Sequence, residues 1–281
     1  MSQSAEERIL TLPPLREVIA ANRLSARKAL AQNFLLDLNL TRKIARAAGP
    51  INHGTTIEIG PGPGGLTRAL LLEGAEQVIA VERDARAIGA LDQLAEASSG
   101  RLTVIEGDAL KLAVSALGST PRRMVANLPY NIATRLIIDW LRSRLAFESI
   151  TVMVQKEVGL RLCAYANEPD YGRLSIITGW LADASIIFQV PASAFTPPPK
   201  VTSALVRLVP RAQPLFPADR ETLEKITTAA FGQRRKMLRA SLRPLGGEAL
   251  LRDAEIDPTA RPETLSIEAF CRLARVYAKR G

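Results

Sequence analysis

The stretch Thr55-Thr-Ile-Glu-Ile-Gly-Pro-Gly-Pro-Gly-Gly-Leu66 joins a short apolar run to a helical one through glycine and proline. Thr55–Ile59 is β-branched apart from Glu58, which suits a buried strand, and Leu66–Glu73 has the apolar spacing of a helix. Glycine accepts positive φ and lets the backbone come close to a ligand. Gly60, Gly62 and Gly65 also spell G-x-G-x-x-G, a pattern that suits either a nicotinamide dinucleotide or another adenosine cofactor, so the turn alone leaves the ligand open.

Outward from this turn the same alternation continues. Gln77–Val81, Leu102–Ile105, Met124–Ala126 and Ile150–Val154 are expected strands. Helical segments such as Ala85–Ala97 separate them, and a further helix is expected from about 37 to 48. Strands and helices alternating at this spacing predict a mostly parallel sheet covered on both faces. Ser185–Val190 and Ser203–Val209 are joined by too few residues for a helical crossover, so an antiparallel last strand is expected. The fold class is therefore α/β, a Rossmann-like sheet. After Pro210 the three prolines of Pro210–Pro217 mark a linker, and residues 219–280 show helical periodicity only. The expected organisation is a flexible N-terminal arm over 1–22, a catalytic domain over 23–210 and a small all-helical domain over 211–281.

Composition narrows the chemistry. Lys and Arg number 37 against 28 Asp and Glu, a formal charge of +9 that favours a polyanionic partner such as nucleic acid. The two cysteines, Cys163 and Cys271, allow neither a disulfide framework nor a zinc cluster, and no metal is expected. His53, the single histidine, sits beside Gly54 as a solvated loop residue, which leaves Ser–His and Cys–His hydrolysis without a base. No stretch reaches membrane-spanning length and the N-terminus lacks the pattern of a signal peptide, so the cytoplasm is the expected location.

Two acids sharpen the ligand. Glu82 ends the second strand of the alternation, where a carboxylate accepts bonds from ribose hydroxyls. Asp108 follows the next strand in Glu106-Gly-Asp-Ala109, where it can accept a bond from an adenine amino group. Dinucleotide enzymes do not need the second acid; S-adenosylmethionine enzymes commonly have it, so the turn is assigned to S-adenosylmethionine.

Asn127-Leu-Pro-Tyr130 follows the next strand, at the mouth of the expected cleft. An exocyclic adenine amine is a poor nucleophile because its lone pair is delocalised into the ring. The Asn127 side-chain oxygen can accept one of its N–H groups and the backbone carbonyl of Leu128 or Pro129 the other, with proline fixing the chain. The nitrogen is then pyramidal and its lone pair faces the methyl group. Tyr130 offers a stacking face for the base. Positioning and electrostatics would carry such a displacement, and no strong general base is required.

These motifs resemble the ribosomal RNA adenine dimethyltransferases. Three more stretches match the same family: Lys28-Ala-Leu-Ala-Gln-Asn-Phe-Leu35, Phe195-Thr-Pro-Pro-Pro-Lys-Val201 and Phe231-Gly-Gln-Arg-Arg-Lys-Met-Leu-Arg239. The resemblance implies that Asn33, Leu35, Gly60, Glu82, Asp108 and Asn127 contact the cofactor, and that Phe195 closes on the second face of the target base. It implies dimethylation of two adjacent adenosines in a hairpin near the 3′ end of small-subunit (16S) ribosomal RNA, with a role in late subunit assembly. The partners are then that RNA and the small subunit or its precursor, met by a monomer. One departure is Ala31, where the family usually has glycine.

Arg234, Arg235, Lys236, Arg239 and Arg243 form a basic run without an acid. On one helix, 235, 239 and 243 would share a face suited to phosphates. Arg23, Arg27 and Lys28 extend the basic surface, and Gln155-Lys-Glu-Val158, Arg161 and Tyr171-Gly-Arg173 are expected to meet the RNA. A large-subunit dimethyltransferase of the macrolide-resistance type is the near alternative; the Thr-Pro-Pro-Pro-Lys and Arg-Arg-Lys-Met-Leu-Arg stretches favour the small-subunit type. An assembly factor in which catalysis is secondary is a second alternative, and a nicotinamide oxidoreductase a third. The third explains the turn but neither Asn127–Tyr130 nor the basic run.

Overall fold

The structure, a computed structural model, describes residues 3–24, 33–143, 146–233 and 236–280. By contacts the chain divides into two units, Met1–Gly159 with Ser185–Pro210, and Leu160–Ala184 with Arg211–Gly281.

In the first unit, β2 (Thr55–Ile59) leads into α4 (Gly65–Leu72), β3 (Gln77–Glu82) into α5 (Ala85–Ala97), and β4 (Leu102–Glu106) is followed by β5 (Arg122–Asn127). α6 (Ala133–Arg142) connects β5 to β6 (Ser149–Gln155), after which α7 (Lys156–Cys163) begins. With β7 (Ala182–Val190) and β9 (Ser203–Pro210), seven strands align in the order β4-β3-β2-β5-β6-β9-β7. β2 pairs in parallel with β3 and β5, β3 with β4, and β5 with β6; β9 runs antiparallel to β6. The mostly parallel sheet is thus as expected. Every residue of β2 is buried, as the β-branched run requires for a strand covered on both faces.

The chain runs outward from β2 to β4 and then returns to β5 on the other side of β2. That reversal places a topological switch point between β2 and β5, where open α/β sheets bind ligands. Parallel direction aligns the carboxyl ends of β2, β3, β4 and β5 on one edge, with Glu82 opposite Glu106 and Asn127 opposite Met153 in register.

Residues 1–22 do not form a loose arm where they are described. α1 (Ala5–Leu10) and α2 (Leu15–Ala21) are helical. Ser4 and Glu7 form a reciprocal capping box that stabilises the start of α1. Ile9 is fully buried in the core cluster shared with Leu70, Leu71, Leu91 and Leu94. Arg68 on α4 donates from Nη2 to the Pro13 carbonyl, and Arg86 on α5 from Nη1 to the Arg23 carbonyl. Helices of six and seven residues show little periodicity, and tertiary burial holds them. β1 (Phe34–Leu35) pairs antiparallel with β8 (Phe195–Thr196), and α3 (Leu38–Ala47) follows β1, capped by the Asp37 side chain.

The second unit is built from the end of α7, α8 (Arg173–Leu181), α9 (Arg220–Gly232), α10 (Leu238–Ser241), α11 (Gly247–Asp253) and α12 (Ile267–Ala278). The Tyr171 hydroxyl donates to the Leu265 carbonyl at 2.9 Å, and Trp180 Nε1 to the Phe216 carbonyl at 2.7 Å. Phe231 stacks at 5.8 Å on Phe270 and meets Tyr171 edge-on at 6.3 Å. These contacts draw residues 160–184 to the C-terminal helices. The expected break near Pro210 is joined by two further crossings, which the sequence reading had placed inside the catalytic domain.

Candidate cofactor and adenine site

A cavity opens on the sheet edge where β2 to β5 end. It is lined by Asn33 and Leu35, by the turn from Gly60 to Pro63, by Glu82, Arg83 and Asp108, and by Asn127–Ile132. All six expected cofactor residues and the whole tetrapeptide therefore border one space.

The Gly-rich turn is shaped from both sides. Gly60 has φ +69° and no atom within 4 Å of where a Cβ would stand, so its missing side chain leaves room on the cavity side. At Gly65 the constraint is protein, since a Cβ would lie 2.5 Å from the Leu35 carbonyl oxygen. Part of the glycine pattern thus serves the close approach of β1 rather than a ligand.

Glu82 braces the turn. Its Oε2 accepts from the Gly62 N–H at 3.1 Å, while Oε1 accepts from Arg83 N–H at 2.7 Å and Asp84 N–H at 2.8 Å. Asp108 accepts from the Leu110 N–H at 3.0 Å and faces Arg83 Nη1 at 3.5 Å. Glu58 also lines the cavity, and it is almost wholly buried. Burial pushes its carboxyl up to about 8; the Thr67 hydroxyl tempers the rise and the Glu82 carboxylate adds to it. The Glu82 and Asp108 carboxylates and the Gly-rich turn suit a cationic adenosine cofactor.

The tetrapeptide is held in a definite orientation. Asn127 Nδ2 donates to the Asn33 backbone carbonyl at 2.9 Å, so its donor is engaged and its side-chain oxygen is left as an acceptor. The Pro129 carbonyl accepts from the N–H groups of Ile132 and Ala133, both at 3.1 Å, at the start of α6. Of the two carbonyls the sequence left open, Leu128 is the better placed to accept the second amine proton. The Tyr130 hydroxyl lies 2.6 Å from Ser203 Oγ at the first position of β9. Burial raises the Tyr130 phenol above its ordinary pKa, and the Ser203 bond partly offsets that. Ser203 is fully buried, and sequence reading missed it: a serine just past Pro197–Val201 carries no signal until folding brings it to Tyr130.

Phe195 is placed differently from the expectation. It pairs with Leu35 between β8 and β1, is 3% exposed and belongs to the core cluster, outside the cavity lining. Its ring is used in packing, so it offers no second face to a base in this arrangement. Tyr171 is likewise buried, its hydroxyl satisfied by Leu265, which removes it from the expected RNA-contacting segment. His53 is exposed, and it also clamps the buried Arg123. The Arg123 Nη1 donates to the His53 carbonyl at 2.8 Å, and Nη2 lies 3.0 Å from His53 Nε2. Burial pushes the Cys163 and Cys271 thiols up to about 11 and about 12, so neither is poised as a nucleophile.

The described part of the basic run is not one unbroken helix. Arg234 and Arg235 lie outside the described residues, as do Arg27, Lys28 and Ala31. Met237 is extended, α10 covers only Leu238–Ser241, and Arg243 opens a 3₁₀ turn with Pro244 that ends at Gly246. The local breakers win over i, i+4 spacing. Lys236, Arg239 and Arg243 are exposed.

The family model for ribosomal RNA adenine dimethylase matches residues 23–279. The "Ribosomal RNA small subunit methyltransferase A" of Rhodospirillum rubrum is 60% identical over 271 residues, covering 96% of this chain and 94% of that protein. The protein of the same name from Rhizobium meliloti is 57% identical over 266 residues, covering 94% of this chain and 97% of the relative. Among solved structures, a dimethyladenosine transferase from Plasmodium falciparum superposes with TM-score 0.76 at 26% identity, covering 88% of this chain and 98% of that one. The 23S rRNA methyltransferase ErmE superposes with TM-score 0.65 at 29% identity, covering 88% of this chain and 100% of its own. With the sheet, the cofactor cavity and the tetrapeptide in place, the chain belongs to the ribosomal RNA adenine dimethylase family, whose members use S-adenosylmethionine.

Proposed function

We propose that this chain dimethylates N6 of two adjacent adenosines in a hairpin near the 3′ end of small-subunit ribosomal RNA. It acts as a cytoplasmic monomer on the small subunit or its precursor. The observation that carries the chemistry is the fixed orientation of Asn127, whose amide donor is engaged by Asn33 and whose oxygen is therefore an acceptor. The names and near full-length coverage of the relatives favour the small subunit over the large.

When bound, S-adenosylmethionine supplies an electrophilic methyl group on a sulfonium. Glu82 takes the ribose hydroxyls, Asp108 the adenine amine, and the chain at Asn33, Leu35 and Gly60 shapes the rest of the cofactor cavity. Asn127 Oδ1 and the Leu128 carbonyl accept the two N–H groups of the target amine. The nitrogen lone pair is thereby freed from the ring and aimed at the methyl group. Tyr130 stacks on the base, held at its hydroxyl by Ser203. The amine becomes acidic as it is methylated and loses its proton to water. Extruding the adenine costs a few kcal/mol, which stacking and phosphate contacts offset. Lys236, Arg239 and Arg243, with Arg234 and Arg235, contact phosphates and supply affinity without sequence choice.

The test is incubation with labelled S-adenosylmethionine and separate unmethylated small and large subunits. Label is expected as dimethyladenosine in small-subunit RNA. Label in large-subunit RNA, or in neither, overturns the assignment.

A further inference from the structure

Arg86 stands in the first turn of α5, outside the cavity lining, and no step above uses it. All three arms of its guanidinium are engaged. Nε and Nη2 donate to the two oxygens of Asp84 at 3.0 and 2.5 Å, and Nη1 donates to the Arg23 carbonyl at 3.1 Å. Asp84 is the N-cap of α5, and its side chain is 6% exposed. A solvated ion pair holds little energy, but a two-pronged bond to a buried carboxylate fixes geometry.

That geometry reaches the cofactor edge through the backbone. The Asp84 N–H donates to Glu82 Oε1 at 2.8 Å, beside the Arg83 N–H, and Glu82 Oε2 accepts the Gly62 N–H. Three backbone donors set the direction of the Glu82 carboxylate, so the placement of residue 84 helps decide where it points. The outer end of the clamp is anchored as well. Arg23 lies just past α2, and the next residue, Leu24, is 1% exposed and packs with Ala87 and Ala90 of α5. At the other end of α2, Arg68 holds the Pro13 carbonyl, and a Cβ on Gly65 would stand 3.0 Å from Leu15 Cδ1. The N-terminal segment therefore abuts both the Gly-rich turn and the helix that follows Glu82.

We propose, resting on the ribose role given to Glu82 above, that Arg86 is a positioning residue for ribose recognition. By tying Asp84 to the Arg23 carbonyl it orients the Glu82 carboxylate towards the ribose hydroxyls. It stands outside the cavity and acts through Glu82, as support for a binding group must. The N-terminal helices are then part of the frame of the cofactor site.

The test compares the Kd of S-adenosylmethionine with that of its analogue lacking both ribose hydroxyls, in the full-length wild type and in Arg86→Met. The wild type should bind the analogue more weakly. Arg86→Met should lose about three- to tenfold in affinity for S-adenosylmethionine, the scale of one hydrogen bond, and bind the analogue as the wild type does. Both ligands are measured on one protein, so a general loss of folded chain cancels in their ratio. A variant ratio equal to the wild-type ratio overturns the role of Arg86 and leaves Glu82 at the ribose. A wild type indifferent to the hydroxyls removes the ribose role of Glu82, and that of Arg86 with it, while the methyltransferase reading stands. Arg86→Lys keeps a charge beside Asp84 but loses the planar fork, and its ratio should fall between the other two. A wild-type ratio in Arg86→Lys would show that charge alone suffices and would overturn the clamp.

Discussion

The cofactor edge and the basic run near 234–243 were both read from short motifs, and the structure treats them differently. At the cofactor edge, Gly60, Glu82, Asp108 and Asn127 lie far apart in sequence and border one cavity. In the basic run, residues a few positions apart were expected on one helix, but among the described residues the chain is extended at Met237, and Arg243 opens a 3₁₀ turn after the short α10. Neighbourhood in sequence was the weaker guide. A parallel sheet brings every strand's carboxyl end to one edge whatever lies between, whereas a helical stripe needs an unbroken helix.

Four sets of substitutions would break or sharpen this contrast. Asn127→Ala should cost the most: a loss of about 10²- to 10³-fold in single-turnover rate, the scale seen when one preorganised hydrogen-bonding group is removed. Cofactor affinity should fall only a few-fold, so near-normal turnover would show that the Asn33–Asn127 bond serves structure alone. Glu82→Ala should raise the cofactor Kd by about 10- to 100-fold, since hydrogen bonds to a charged group are worth roughly 1.5–3 kcal/mol. Gly62, Arg83 and Asp84 would also lose their acceptor. An unchanged Kd would separate the bracing of the turn from ligand binding.

The Tyr130–Ser203 bond should matter less. In a double-mutant cycle of Tyr130→Phe and Ser203→Ala, a coupling of about 1 kcal/mol in kcat/KM is expected. Strict additivity would mean that the hydroxyls do not position the ring together. The smallest effects belong to the basic run. Lys236→Ala, Arg239→Ala and Arg243→Ala should each weaken RNA binding a few-fold and lower the salt slope by about one. If the three slopes stay at the wild-type value, these exposed cations are solvated and the RNA surface lies elsewhere.

Sequence reading fared best where local chemistry and long-range geometry agree. Thr55–Ile59 could be only a buried strand, and Asp108 and Asn127 each follow a strand, so their common edge was foreseeable. It fared worse where packing decides. Ile9 is in the core because α1 is pinned beside α4 and α5, although six residues show no usable period. Phe195 looked like an aromatic wall for the base, but its β8 position pairs it with Leu35 and turns the ring inward. Residues 160–184 lie between strands of the sheet yet group with the C-terminal helices, because Tyr171 and Trp180 find their hydrogen-bond acceptors there.

The amino-acid sequence by itself determined the parallel α/β frame, the family, the adenosine cofactor and the amine-holding tetrapeptide, because strand-end position and residue type set those together. Only the tertiary structure decided that Asn127 presents its oxygen, that the Pro129 carbonyl is spent on α6, that Ser203 holds Tyr130, and that Glu58 is buried beside the cavity. Orientation and desolvation depend on partners distant in the chain, and a linear motif carries no record of them.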